Sequence, residues 1–584
     1  MDVYVRCNTS MDQCINFPVP DSIIVFVCAY CKTQRVQLHL VTTSDTSWPV
    51  GIDFSRDILA NLSHDFMEGD KVPASVQLCD LPAAVSSPGC LVHSGMCALL
   101  RGVIKTAHSE HPNDHLNELL GHREVCLKAC AEVSVWTRYC EVDLPEAVER
   151  TISDLRQSQA PAGDAIAPEL RKLENHLRQP PIVRNRGKRQ REMKNQKRQQ
   201  HEDLQQMSSG NGHEAGLEHI YAEGIDFTIT DLVLFPCVNY LLGQCADQSR
   251  VQRHLAKTLQ WYQRIRSMPC VQDVVSSTGL RVLDISAGDE NVTCPSPDLT
   301  ADLCALNIRD KVKDKVKLVT AEVEAILTRL PAVTVLPHPC KDVKLPWQQF
   351  PPAVHPSNGE LPEQRVERKC EQLESMAQSV TRIARPGDVI VDFCSGGGHL
   401  GILLAYLLPQ CKVILVENKE ESISRAVTRI DSLQQDNMLV YQCNLDYFHG
   451  NFDIGVTLHA CGTATDLVLQ RCIDNDASFV VCPCCYGGIQ CTHTMAYPRS
   501  GAFKQAGITS EEYLVLGHAA DQTELNIRHA QQGQTCMVAI DSDRLFCARE
   551  HGYEIMLSSL EPPSCSPKNH LLLGSKDRTW SQET

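Results

Sequence analysis

The stretch that most constrains this chain is residues 388–401, DVIVDFCSGGGHLG. Asp388 to Val391 is a short apolar run of the kind a buried strand shows, and it ends in Asp392. Cys394, Ser395 and three consecutive glycines follow, and a helical run begins at His399. Strand, glycine turn and helix start together make a cradle for an anion or a nucleotide. Glycines let the backbone turn tightly and approach a ligand, and the first helical turn offers free N–H groups.

The turn fits two templates. Gly396-x-Gly398-x-x-Gly401 satisfies the dinucleotide fingerprint, and Asp392-x-Cys394-x-Gly396-x-Gly398 fits the first motif of S-adenosylmethionine (SAM) methyltransferases. A second strand, Lys412–Val416, ends in Glu417, where an acid can bond both hydroxyls of a ribose. A third, Met438–Gln442, leads into Asn444 and Asp446, placed to bond an adenine amine in the methyltransferase arrangement. The fourth, IGVTLHACG, carries His459 and Cys461, and the fifth, Ser478–Cys482, runs into Pro483-Cys484-Cys485-Tyr486-Gly487. Strands alternating with helices imply a doubly wound sheet that binds its ligand beyond the carboxyl ends of the strands.

His459 is the candidate base for a hydroxyl or amine nucleophile, with Asp466 a candidate to orient the acceptor. Cys461 and Tyr486 are candidate acceptor-side residues. Cys482, Cys484, Cys485 and Cys491 do not follow a paired zinc-knuckle spacing, so they are read as buried thiols with no metal. Residues 535–540 (TCMVAI) read as a late strand followed by a helix over 541–551. Two further strands near 553–557 and 565–573 are expected to close the sheet in antiparallel fashion, which distinguishes a methyltransferase sheet from a dehydrogenase one.

Upstream, residues 1–105 read as a degenerate thioredoxin-like region, with strands over Ser22–Cys31 and Val36–Thr42. The CxxC of Cys28 and Cys31 is taken as two strand-end thiols rather than a redox pair. Residues 106–280 read as a helical bundle. Within it, Thr228-Ile229-Thr230-Asp231 is a capping box, and residues 180–212 form a basic insertion. Eight lysines and arginines crowd residues 184–198, a solvated stretch or a phosphate-backbone contact for RNA. Residues 281–365 connect this region to a C-terminal domain over 366–584, which opens with an amphipathic helix at 364–384.

The capped helix followed by WYQRIRSMPCV resembles the C-terminal helical domain of glutathione S-transferases over residues 114–275. VDFCSGGGHLG, VENKE, LHACGTATDLVL, VCPCCYG and PPSCSPKN extend the likeness. With these, the chain resembles the glutathione S-transferase C-terminal domain-containing protein family. The last domain is also similar to a wider set of methyltransferases with a His-x-Cys-Gly-x-x-Thr-Asp segment, one branch of which methylates tRNA 2′-hydroxyls. The Asn-Pro-Pro-Tyr signature of base N-methylation is absent, and Leu458-His459-Ala460-Cys461 stands in its place.

The resemblance implies an α/β multidomain protein: a methyltransferase-like Rossmann sheet, preceded by an all-α bundle and the thioredoxin-like region. It implies SAM as cofactor, held by Asp392, Cys394, Gly396, Gly398, Glu417, Asn444 and Asp446. The expected function is SAM-dependent methyl transfer with RNA as acceptor. The rivals are a non-catalytic adaptor that binds a protein partner through its helical domain, and a glutathione-dependent transferase. Whether the chain is an enzyme stays open. The net charge of −16, from 55 basic against 71 acidic residues, implies no global attraction to nucleic acid or membrane. No apolar run reaches the roughly 18–20 residues needed to span a bilayer, and no basic start is followed by an apolar core. A soluble, cytoplasmic protein is expected, in which the 29 cysteines are reduced.

Overall fold

The computed structural model describes residues 1–9, 14–42, 51–86, 91–110, 112, 115–129, 134–157, 166–181, 218–245, 248–284, 320–340, 342–359, 361–492, 494–522 and 527–580. Residues 182–212 of the basic insertion and the turn-rich stretch 285–302 lie outside the described residues. The chain divides into two compact units. One comprises Met1–Val72, Leu81–Ala84 and Gly95–Pro295, and the other Pro73–Asp80, Val85–Ser94 and Ser296–Thr584.

In the first unit, β1 (Asp2–Cys7), β3 (Gln37–Thr42) and β5 (Ser63–Glu68) are parallel, with β3 in the middle. β2 (Cys14–Pro18) and β4 (Gly51–Ser55) form a separate antiparallel pair. The strand expected over Ser22–Cys31 is instead a helix, Val19–Cys31. Its apolar residues run without a period because neighbours cover it on every side, and Pro20 opens its first turn. Cys28 and Cys31 therefore sit in a buried helical end, where burial pushes the Cys28 thiol up.

The N-terminal strands and the helical region share one core. Phe26 meets Phe235, which stacks on Tyr262 at 5.4 Å. The capping box is present. Asp231 accepts the Thr228 N–H at 2.9 Å at the start of the helix Ile229–Gly243. The same carboxylate takes the Trp261 indole N–H at 2.7 Å, so the two sequence signals of the bundle meet at one buried residue.

β6 (Ala83–Ser86) divides between the units. The second unit is built on a sheet in the order β7-β11-β10-β9-β12-β13-β15-β14-β8. Its strands are β7 (Leu91–Ser94), β8 (Val335–Leu336), β9 (Val389–Phe393), β10 (Lys412–Glu417), β11 (Met438–Gln442), β12 (Ile454–Ala460), β13 (Ser478–Pro483), β14 (Glu554–Ser559) and β15 (His570–Ser575). β7 through β13 pair in parallel, and β15 is antiparallel to both β13 and β14. The chain winds outward from β9 to β11, then returns to lay β12 on the other side of β9. That reversal opens a crevice beyond the carboxyl ends of β9 and β12.

The amphipathic helix is Glu363–Ile383, and its Leu373, Met376, Ala377 and Val380 enter the core with Ile390, Leu403 and Val413. The late strand expected at 535–540 is part of a long helix, Ile527–Glu550. Cys536, Met537 and Ile540 face the core at helical spacing, and the helix continues on both sides of them. Among the described residues, no helix is long and apolar enough to cross a membrane.

Candidate active site

The glycine turn is held from three sides. Asp392, at the end of β9, accepts the Gly401 N–H at 2.9 Å across the turn. Glu417, at the end of β10, accepts the Gly396 N–H at 2.9 Å through one oxygen, and the Asn418 and Lys419 N–H groups at 2.9 and 2.8 Å through the other. Arg429 reaches in from the helix Glu420–Asp431 and donates to the Gly397 carbonyl at 2.9 Å. Cys394, Gly396 and Gly398 all take positive φ, of 54°, 55° and 74°. A Cβ on Gly398 would come within 2.8 Å of Leu415, so a larger residue there must displace that side chain as well as hold a positive φ. A Cβ on Gly396 would meet nothing within 4 Å. The Ser395 hydroxyl is buried and makes no hydrogen bond in the structure. An open cradle with an orphaned polar atom fits a ligand that brings its own hydrogen-bonding groups.

Asn444, at the end of β11, turns its Oδ1 toward the Asn418 amide at 3.5 Å. Asp446 lies on the short turn Leu445–Tyr447, half-buried, with its backbone carbonyl taking Arg471 at 3.0 Å. Asp392, Glu417 and Asn444 thus stand at the ends of three successive parallel strands. His459, at the end of β12, is held at φ 75° and hydrogen-bonds Gln372 at 3.0 Å. Burial, with the Lys369 charge as a second cause, lowers its imidazole to about 4 and keeps it neutral near pH 7.

The sequence reading missed Lys369. It shares the inward face of the amphipathic helix with Leu373, Met376 and Val380, and a lysine in an otherwise apolar stripe was the signal. Burial lowers its ammonium to about 8. Burial also raises Asp392 to about 7, opposed by the Gly401 hydrogen bond and by Lys369. An amine and a carboxyl whose proton affinities converge near neutrality thus lie within electrostatic reach of each other.

Two predicted site residues have other employment. Asp466, in the first turn of the helix Thr463–Asp474, is buried and bound twice by Arg544, at 3.0 and 2.8 Å, and once by the Tyr497 hydroxyl at 2.9 Å. Tyr486 is fully buried and donates to Asp541 at 2.7 Å, while Arg544 also bonds Asp541 at 3.1 Å. Both side chains are spent on a buried ion network that ties the loops after β12 and β13 to the long helix. The first-turn position of Asp466 was legible in sequence, but its partner 78 residues away was not.

The thiols also depart from expectation. Cys482 is buried, but Cys461 and Cys485 are exposed and Cys484 is half-buried. Their sulfurs converge: Cys461 lies 3.3 Å from both Cys484 and Cys485, which are 3.5 Å apart. Hydrogen bonding with Cys484 draws the Cys461 thiol down to about 6, and the same contact pushes Cys484 up. β12 and β13 are parallel neighbours, so cysteines just past their ends meet despite their separation in sequence.

Residues 364–492 match the model of a family described as a methyltransferase domain. A mouse protein named glutathione S-transferase C-terminal domain-containing protein is 35% identical over 649 residues, spanning 98% of each chain. The chain belongs to that family. The human member is 34% identical over 98% of each chain, and a Drosophila melanogaster homolog 37% identical over 82% of each. Among solved structures, an rRNA methylase from Streptococcus thermophilus is 12% identical over 35% of this chain and 96% of its own, with a TM-score of 0.21. A candidate methyltransferase from Streptococcus mutans, solved with SAH, is 11% identical over 35% of this chain and 96% of its own, with a TM-score of 0.21. The methyltransferase-like Rossmann fold of the family member rests on the strand order and the family match.

Proposed function

We propose that the second unit binds SAM and transfers its methyl group. The observation that carries this is the open glycine turn at the switch point, where a Cβ on Gly396 would meet nothing and the buried Ser395 hydroxyl has no partner. When bound, SAM supplies an electrophilic methyl carbon. The protein's part is to orient and desolvate the acceptor. Glu417 and Asn444 stand where the ribose and adenine would be held, and Asp392 fixes the turn through Gly401. His459, neutral and donating its Nε2–H to the Gln372 Oε1, has its Nδ1 left to take a proton from an acceptor hydroxyl.

RNA is the acceptor class proposed. It is favoured by the eight basic residues within 184–198 and by the resemblance to enzymes of tRNA 2′-hydroxyls. Isothermal titration of the full chain with SAM tests the first step. Saturable binding that Asn444→Ala weakens supports the reading, with circular dichroism confirming the variant's fold. No heat at concentrations well above those typical for this cofactor refutes it.

A further inference from the structure

Cys461, Cys484 and Cys485 form the densest group of soft donor atoms among the described residues, and the three sulfurs lie within 4.8 Å of one another. They are too far apart for disulfides, which need about 2.05 Å. A tetrahedral zinc site with Zn–S bonds of about 2.3 Å places its sulfurs about 3.8 Å apart. The observed separations of 3.3, 3.3 and 3.5 Å need to open by only about half an ångström to seat such an ion.

The framework around them is rigid. Gly462, at φ 57°, lies so close to the loop after β13 that a Cβ there would fall 2.3 Å from the Gly488 carbonyl. Thr463 closes the same gap, donating to the Gln490 carbonyl at 3.0 Å and accepting the Gln490 N–H at 3.0 Å. Arg544 anchors the loop after β12 through Asp466 and the Gly462 carbonyl, and Asp541, which it also bonds, holds Tyr486 of the loop after β13. The two cysteine-bearing loops are therefore pinned to each other by contacts that do not involve sulfur. A preformed set loses little ordering free energy on binding. Two of the three thiols are exposed, so an ion has a way in.

We infer that Cys461, Cys484 and Cys485 bind one thiophilic metal ion. The donor set is all thiolate, which selects soft or borderline ions such as zinc over magnesium or calcium. Three protein ligands leave a fourth position open to solvent, at the carboxyl edge of the sheet and beside the His459 carbonyl, which lies 3.3 Å from the Cys484 sulfur. Binding displaces the remaining thiol protons to solvent and forms three metal–sulfur bonds, with no change of oxidation state. The inference does not depend on SAM binding.

The test uses the full chain, kept reduced, stripped with a chelator and handled under nitrogen. Zinc is titrated in competition with a chromophoric chelator, and cobalt(II) is added as a spectroscopic probe. The parent is expected to bind one equivalent more than the triple variant Cys461→Ser/Cys484→Ser/Cys485→Ser, and only the parent should show thiolate-to-cobalt charge transfer. Cys461→Ser alone, at an exposed position, should weaken zinc binding a hundredfold or more. That exceeds the roughly 10–100-fold loss from removing a supporting outer-shell group. Equal stoichiometry in parent and triple variant, or a Cys461→Ser affinity within threefold of the parent, overturns the inference. Circular dichroism confirms folding, and the single variant decides the question if the triple variant does not fold.

Discussion

Replacing Arg544 with methionine should open the second unit from beneath its site. Arg544 and Asp466 are each 1% exposed and Asp541 is fully buried, so no water screens the charges. Methionine keeps most of the side-chain volume but removes four charge-assisted hydrogen bonds, two to Asp466, one to Asp541 and one to the Gly462 carbonyl. Stranding a buried partner in this way costs about 3–5 kcal/mol. Asp541 keeps the Tyr486 hydroxyl and His570, each at 2.7 Å, so most of the loss falls on Asp466, which keeps only Tyr497.

Hydrogen exchange read by mass spectrometry resolves this loss segment by segment. At pH 8, protection over Thr463–Asp474 and Ile527–Glu550 should fall by roughly a hundred- to a few thousandfold, the equivalent of the same 3–5 kcal/mol. Adding Asp466→Leu should restore part of it. Protection within threefold of the parent would refute the reasoning.

The two glycines of the turn should separate folding from binding. Gly396→Ala, whose Cβ meets nothing, should cost only the left-handed strain of about 1–2 kcal/mol while abolishing SAM binding in a titration. Gly398→Ala adds the clash with Leu415 and should lower the melting temperature by more. Asp392, raised to about 7 in the folded state, sheds stability as pH climbs from about 4 to about 7, because the folded chain holds a proton that the unfolded chain has released. Asp392→Asn should flatten that slope in exchange-derived stabilities over the same range, and an unchanged slope would place the titration elsewhere. Lys369, lowered to about 8, acts in the opposite sense. Stability rises with pH above about 8 as the unfolded state alone keeps the proton, and Lys369→Met should remove that rise.

The sequence by itself determined the glycine turn, because its three glycines and flanking acid are local requirements of a strand turning into a helix. It also determined the alternation of strands and helices from β9 to β13, whose apolar runs are short and bounded by turn residues. The capping box at Thr228–Asp231 was legible for the same reason: both partners lie within four residues. Where a segment is buried on all sides, its period vanishes. Val19–Cys31, rich in β-branched residues, therefore read as a strand and folded as a helix. TCMVAI likewise read as a strand because six residues cannot display the long helix around them. Only the tertiary structure decided which side chains meet. It joined Asp466 to Arg544, sent Tyr486 to Asp541, set Lys369 within electrostatic reach of Asp392, and brought Cys461 against Cys484 and Cys485. Apart from Lys369, which an apolar stripe betrays, these contacts carry no local signature. They follow from which strands pair in parallel and where the loops beyond them end, and long-range packing alone fixes both.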